Sequence, residues 1–384
     1  MEEQQEQADS AALPDAPLTF DTWEEWEAFV SQKPVEKPSK VSRTQMSAMT
    51  FDQRKLYNQS RVDYHNSFGP ILTPDMRRVH EILLPLIRAN LLAQPGARRG
   101  AVIDGEGTVG KTTILANLGK QYELEMRERY TTGRTRQNDV YKPVAYVTLR
   151  GATTIKGLST KLAKFYNTPY PKGADADEIT DLVVNNAKRC ATTLLFIDDI
   201  HYLKPGNKTS QDVNNHIKDF ANSIAATIVV AGIDVKNNKF FTEGLGETPE
   251  NSRKSQTRRR FTLLEVGSFK YDEEVAYRIT QGSDGETPRV VTNKDVWMDL
   301  LKLLESNLVL GRRSENTLLE LDQYLWSRTG GFISALCHLV RRGANMAIEN
   351  GSERITKSIL ETILLDQGAE EDYIVRSRTS SGLK

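Results

Sequence analysis

Gly105-Glu106-Gly107-Thr108-Val109-Gly110-Lys111-Thr112 satisfies the pattern G-x-x-x-x-G-K-[ST] at every fixed position, and the reading of the whole chain starts from it. Ala101-Val102-Ile103, just upstream, is a short apolar run that reads as a buried strand. Downstream, Thr113-Ile114-Leu115-Ala116-Asn117-Leu118-Gly119 carries the apolar spacing of a helix packed on a sheet. Strand, glycine-rich turn and helix are the setting in which such a loop wraps a polyphosphate. The glycines let consecutive N–H groups converge on it, and the positive end of the following helix faces it. The candidate cradle is Gly105, Gly107, Thr108, Val109, Gly110, Lys111, Thr112 and Thr113. Lys111 is expected to reach the outer phosphates of ATP and the Thr112 hydroxyl to ligate Mg²⁺.

The length of 384 residues allows two or three domains with a sizeable core. The formal net charge of zero argues neither for nor against nucleic acid, so any such contact must come from local basic clusters. No apolar run approaches the roughly 20 residues of a membrane span, and no basic-then-apolar leader opens the chain. Cys190 and Cys337 are too few for a disulfide framework, which suggests a reduced, cytoplasmic protein.

Residues 1–49 are strongly acidic and are expected to be mostly disordered. Within them Leu18, Phe20, Trp23, Trp26, Phe29 and Val30 predict a short amphipathic helix, with Asp21 as N-cap and Glu24 closing a capping box. That helix either docks on another protein or packs its tryptophans back on the body. Residues 50–98 read as a helical linker, with one helix over 53–65 and another opening at Thr73-Pro74, where Pro85 predicts a kink or break. The stretch 68–74 is expected to border a nucleotide base.

In the core, 99–267, helices alternate with strands over 144–149, 193–197, 227–231 and 261–266. The strand Leu194-Leu195-Phe196-Ile197 ends in Asp198-Asp199, delivering carboxylates to the C-terminal edge of a parallel sheet, where such sheets bind ligands. There Asp198 would hold Mg²⁺ through water and Asp199 would orient the attacking water. Asp234, after the next strand, should lie near the phosphates. Arg258-Arg259-Arg260 ahead of the last strand are either solvated surface or a source of an arginine finger reaching a neighbouring subunit, Arg260 first and Arg259 second. Beyond residue 267 only helices are expected, over 271–280, 294–308, 318–329, 332–349 and 355–366. They make a lid at 268–368, followed by a disordered polar tail, 369–384.

Together the phosphate loop, Asp198-Asp199-Ile200-His201, Ala231-Gly232-Ile233-Asp234, Arg259-Arg260-Phe261 and the C-terminal helices resemble an AAA+ ATPase. A narrower set looks like the TniB group of transposition regulators, relatives of TnsC, over about residues 50–350. It comprises Tyr57-Asn58 to Tyr64-His65, Ile71-Leu72-Thr73-Pro74, Gly110-Lys111-Thr112-Thr113, Pro143-Val144-Ala145-Tyr146-Val147-Thr148-Leu149 with Thr154 and Lys156, and Thr329-Gly330-Gly331-Phe332-Ile333. The resemblance implies an α/β core with a parallel five-stranded sheet, a C-terminal helical lid and Mg²⁺-dependent ATP hydrolysis. It further implies a homo-oligomer, ring or helical filament, on double-stranded DNA, recruiting a DDE transposase and a TniQ-type adaptor. In AAA+ proteins that encircle duplexes, the helix after the second strand commonly faces the central pore. Here it carries Lys156 and Lys164, about 80° apart on a helical wheel, as candidate phosphate contacts or as plain solvated lysines.

Three positions depart from the AAA+ pattern. Asp199 stands where glutamate is usual, Ile233 where threonine or asparagine is common, and Ser334 near the place of a lid-sensor arginine. These departures keep open a second function: a nucleotide-gated signalling or scaffold ATPase with slow hydrolysis and no DNA role.

Overall fold

Five short apolar runs become the strands of one parallel sheet in a computed structural model of the chain, which describes residues 19–94, 96, 98–130, 132–151, 153–202, 208–236, 259–279, 289–311 and 316–381. The acidic stretch before residue 19, Arg258 with the loop leading to it, and the last three residues lie outside the described residues. The strands are β1 (Gly100–Asp104), β2 (Val144–Thr148), β3 (Leu194–Asp198), β4 (Thr227–Gly232) and β5 (Phe261–Glu265), in spatial order β2-β3-β4-β1-β5. Strands β1, β3 and β4 are buried along their whole length, as strands covered on both faces must be. Ahead of the sheet run α1 (Trp23–Ser31), α2 (Arg43–Ala48), α3 (Phe51–Ser67) and α4 (Pro74–Leu91). Between the strands lie α5 (Lys111–Arg129), α6 (Ile155–Tyr166), α7 (Ala176–Arg189) and α8 (Lys208–Ser223). Among the described residues no helix is long and apolar enough to cross a membrane.

The aromatic N-terminal helix packs back on the core. Its cap is Thr22 with Glu25, one residue later than the Asp21 and Glu24 expected: the Glu25 N–H donates to Thr22 Oγ1 and the Thr22 N–H to Glu25 Oε2. Burial sets this phase, because Trp23, Trp26 and Val30 must share the inward face. Trp26 is wholly enclosed, and Gly119 of α5 makes room for it: a Cβ there would stand 2.7 Å from ring atoms of both Trp26 and Phe196.

The stretch 50–98 is divided between two cores. α4 packs with the sheet layer and runs through Pro85 without a break, since Pro85 and Glu81, whose carbonyl loses its partner, both face solvent. α3 instead joins the C-terminal helices, where Tyr64 and Phe68 cluster with Trp297, Leu301 and Leu336. Its Arg61 is buried and forks onto Glu353 at 2.7 and 2.9 Å.

His65 lies beside this pair, with Nδ1 3.3 Å from Asn345 Oδ1 and Nε2 accepting the Val309 N–H at 2.9 Å. That pattern requires the neutral ring. Burial, opposed by the bond to Asn345, holds its pKa at about 4 against an ordinary 6.5. The unfolded chain therefore binds a proton that the folded chain refuses between these values, so stability falls as pH drops from 6.5 toward 4. Urea titrations across this range should show a loss of about 2–3 kcal/mol assignable to His65. The His65→Gln chain should lack that part of the dependence, and identical slopes in the two would remove His65 as its source.

Beyond the sheet the chain is mostly helical, with one departure. Where a helix over 271–280 was expected, β6 (Val275–Ile279) pairs antiparallel with β7 (Arg289–Thr292). The helices α9 (Asn293–Asn307), α10 (Thr317–Glu320), α11 (Asp322–Thr329), α12 (Ile333–Glu349), α13 (Lys357–Glu361) and α14 (Gln367–Ser381) follow. The helix expected over 355–366 is confined to α13 by its cap at Thr356 and its end at Thr362. The segment expected to be a disordered tail forms α14, because Arg328 forks onto Glu370 at 2.7 and 2.8 Å and the Arg376 Nε–H donates to Ser327 O at 3.0 Å. The α/β class with a five-stranded parallel sheet and a C-terminal helical region is what the sequence predicts.

Candidate nucleotide site

Parallel strands bring their C-terminal ends to one edge, and the chemistry collects there. β1 ends at Asp104 and β3 at Asp198, with β4 between them. The phosphate loop leaves β1 and turns into α5 through Gly110, whose φ of 94° suits glycine. Thr112, in the first turn of α5, faces β3, and its hydroxyl donates to Asp198 Oδ2 at 2.7 Å. A hydroxyl and a carboxylate at this distance, beside a loop built for phosphates, suit Mg²⁺, which is held by few protein oxygens plus substrate phosphates. Among the described residues no cluster of three or more His, Cys, Asp or Glu makes a protein-only metal site, which a Mg·nucleotide site does not need.

Lys111 is buried, and its Nζ donates to the Gly105 and Glu106 carbonyls at 2.9 and 2.5 Å. Burial lowers its pKa, while Asp198, Asp199, Asp104 and Glu106 oppose the shift. Asp198 is 1% exposed and accepts the Asp199 N–H on Oδ1 at 2.9 Å. Asp199 points outward from a left-handed backbone, φ 59°, with His201 Nδ1 3.8 Å from its Oδ1. Partial burial raises the Asp199 pKa, and the Asp198 charge adds to this. One carboxylate enclosed against Thr112 and a second more open are the pair that a metal and a water require. Asp199→Asn should therefore keep Mg·ATP affinity within a few fold and lose turnover about 10²-fold or more, since a water-orienting group acts in the transition state. Phosphate-release kinetics equal to those of the parent would place the base elsewhere.

The other expected residues are scattered. Asp234 occupies an exposed left-handed turn, φ 54°. The carboxylate enclosed at this edge is Asp104, which accepts the Val235 and Lys236 N–H groups at 2.9 and 3.0 Å and so pins the turn after β4. Arg260 lies at the start of β5, beside the start of β1 and at the opposite end of the sheet from the loop. Its Nε–H donates to Arg98 O and its NH2 group to Asn222 Oδ1, both at 2.5 Å, whereas Arg259 is exposed. Lys156 donates to Ala174 O at 2.5 Å, and Lys164 pairs with Asp21 at 3.0 Å.

A cleft of about 510 Å³ opens from the loop between the two cores. Pro70, Ile71 and Thr73, from the stretch 68–74, border it, and Ser334, His338 and Arg341 of α12 close it. Arg341 went unread in the sequence. It sits two helical turns past Ser334, stacks 4.8 Å over Phe68 and donates to the Phe68 carbonyl. The i, i+4, i+7 spacing of 334, 338 and 341 was the available signal. A larger cleft, about 800 Å³, lies at the far end of the sheet among Arg88, Arg129, Arg134 and Arg136, and holds no loop or Asp198 residue.

A phosphate loop on β1, a buried carboxylate on β3 and β4 between them define the core of a P-loop ATPase fold of AAA+ type. A family model described as bacterial TniB protein matches residues 72–243. Over that span the chain is similar to the TniB family. One solved structure is similar in fold. The ORC2 protein of Aeropyrum pernix, in ADPNP-ADP complexes, is 16% identical with a TM-score of 0.53, covering 81% of this chain and 71% of that one. The ORC1 protein of Aeropyrum pernix, in complex with DNA, is 18% identical with a TM-score of 0.49, over 78% of this chain and 66% of that one. Cdc6p from Pyrobaculum aerophilum is 16% identical with a TM-score of 0.49, over 82% of each chain. This chain thus spans just under two thirds of the ORC1 protein. No curated protein matches it.

Proposed function

We propose that the chain binds Mg·ATP in the cleft between the phosphate loop and α12, hydrolyses it slowly, and assembles as an oligomer on duplex DNA to regulate transposition. A DDE transposase and a TniQ-type adaptor are the proposed partners. The carrying observation is the 2.7 Å contact of Thr112 with the enclosed Asp198, set inside the span that matches the TniB family. Gly105 to Thr113 would cradle the phosphates, Thr112 and Asp198 hold Mg²⁺, and Asp199 orient water. The test is duplex binding and phosphate release with ATP, ADP and no nucleotide. Binding that requires ATP supports the reading, and nucleotide-independent binding opposes it.

The DNA contacts follow from charge. Lys164, itself exposed, pairs with Asp21, which also lies 3.8 Å from Arg150. Asp21→Ala should raise ATP-dependent duplex affinity several-fold, irrespective of sequence. Lys164→Ala should weaken it uniformly and flatten the log-affinity against log-salt slope by about one unit. Titrations on unrelated duplexes at several salt concentrations check both, and unchanged slopes take this face off the DNA. The same pairing favours a second reading, a nucleotide-gated scaffold that never binds DNA, which the absence of ATP-dependent duplex binding would support.

A further inference from the structure

Asp198 is fixed by three donors, and one of them comes from a strand outside both the phosphate loop and the Asp198-Asp199 pair. Thr112 donates to Oδ2 at 2.7 Å and the Asp199 N–H to Oδ1 at 2.9 Å, while the Tyr146 hydroxyl, from the middle of β2, donates to Oδ2 at 2.8 Å. Tyr146 is buried, and its phenol can direct its one proton at this carboxylate. Its ring is clamped by aromatic neighbours: Trp26 stacks on it at 5.7 Å with 21° between planes, and Phe20 meets it edge-on at 5.2 Å. Trp26 is itself anchored, its indole N–H donating to Glu123 Oε2 at 2.5 Å, and Glu123 is held in turn by Arg127 at 2.7 Å. A path of packed and hydrogen-bonded groups thus runs from α1 to the carboxylate.

We propose that Tyr146 is a positioning residue for Asp198, and that α1, through Trp26, holds the Tyr146 hydroxyl in place and so sets how well the nucleotide site takes a divalent cation. This rests on the nucleotide-site reading above. A buried carboxylate has no water to reorient it, so its plane is whatever its donors impose. Mg²⁺ tolerates little departure from octahedral geometry, so an ill-set carboxylate weakens the metal more than the nucleotide. Thr112 is shared with the metal when a metal binds, whereas Tyr146 serves Asp198 alone. The N-terminal helix, outside the strand and helix alternation of the core, thereby becomes a part of the site.

The test uses the full chain and Tyr146→Phe, which keeps the ring and its stacking while removing one donor. Mn²⁺ binding followed by electron paramagnetic resonance in the presence of a non-hydrolysable ATP analogue should weaken about tenfold or more, the worth of a hydrogen bond to a charged group. Analogue affinity in EDTA should be unchanged, and kcat should fall more than KM moves. Trp26→Phe should weaken Mn²⁺ binding in the parent and add nothing in the Tyr146→Phe background, because it acts through the same hydroxyl. Mn²⁺ affinity within twofold of the parent in Tyr146→Phe, whatever its melting temperature, overturns the proposal by leaving Tyr146 a core residue only. Additive effects of the two substitutions overturn the route through Trp26. A parent that binds the analogue neither with nor without metal overturns the nucleotide site itself, an outcome distinct from either.

Discussion

Lys111→Ala is expected to lower ATP affinity by about 10²-fold or more, the largest binding effect of any single change in the chain. The ammonium donates to two loop carbonyls, Gly105 O and Glu106 O, at 2.9 and 2.5 Å, and thereby folds the loop around its own side chain. A phosphate oxygen replaces neutral carbonyls with a charged acceptor, and each charge-assisted hydrogen bond is worth about 1.5–3 kcal/mol. Two such bonds correspond to a hundredfold or more in affinity. Burial strengthens the case: desolvation lowers the Lys111 pKa, the surrounding carboxylates only partly offset it, and an incoming polyphosphate supplies the missing counter-charge. Titration with a fluorescent ATP analogue measures the effect. Undiminished affinity would falsify the assignment of the loop.

The second large effect concerns hydrolysis within an assembly. Arg259→Ala is expected to cut assembly-dependent turnover by about 10³-fold with nucleotide affinity unchanged, the behaviour of a finger that reaches a neighbour's γ-phosphate. From sequence Arg260 ranks first. We favour Arg259, because Arg260 is half-buried and its guanidinium is engaged by Arg98 O and Asn222 Oδ1 in its own subunit, whereas Arg259 is exposed at the same end of the sheet. Arg260→Ala should then act chiefly on stability, lowering the melting temperature by a few degrees for a loss of about 1–2 kcal/mol. Specific activity measured against protein concentration separates the two. A rate per subunit that does not rise with concentration, or an Arg259→Ala chain that behaves as the parent, removes the finger.

What was legible in the residues alone is what local stereochemistry and burial dictate. A loop that must turn N–H groups inward needs glycine at Gly110, a cation at Lys111 and a hydroxyl at Thr112, so its pattern is written in consecutive positions. Strands buried on both faces must be apolar throughout, so β1, β3 and β4 stand out, and the polar residue ending β3 is forced to a sheet edge. The fold class follows from those strands and the helices between them. Contacts made across large sequence separations follow no such rule, and there tertiary structure decided. The strand at Val275–Ile279 carries the β-favouring Val275, Tyr277 and Ile279 inside a stretch read as helix, and its conformation is set by pairing with Arg289–Thr292, outside that stretch. The boundary between the two cores runs through 50–98 because Arg61 meets Glu353, and His65 meets Asn345 and Val309, far along the chain. Asp104 caps the turn after β4, which no local pattern announces, because β1 and β4 are neighbours only in space. Tyr146 meets Asp198, and Trp26 meets Tyr146, for the same reason: hydrogen bonds and ring packing obey distance, and distance between remote residues exists only once the sheet has formed.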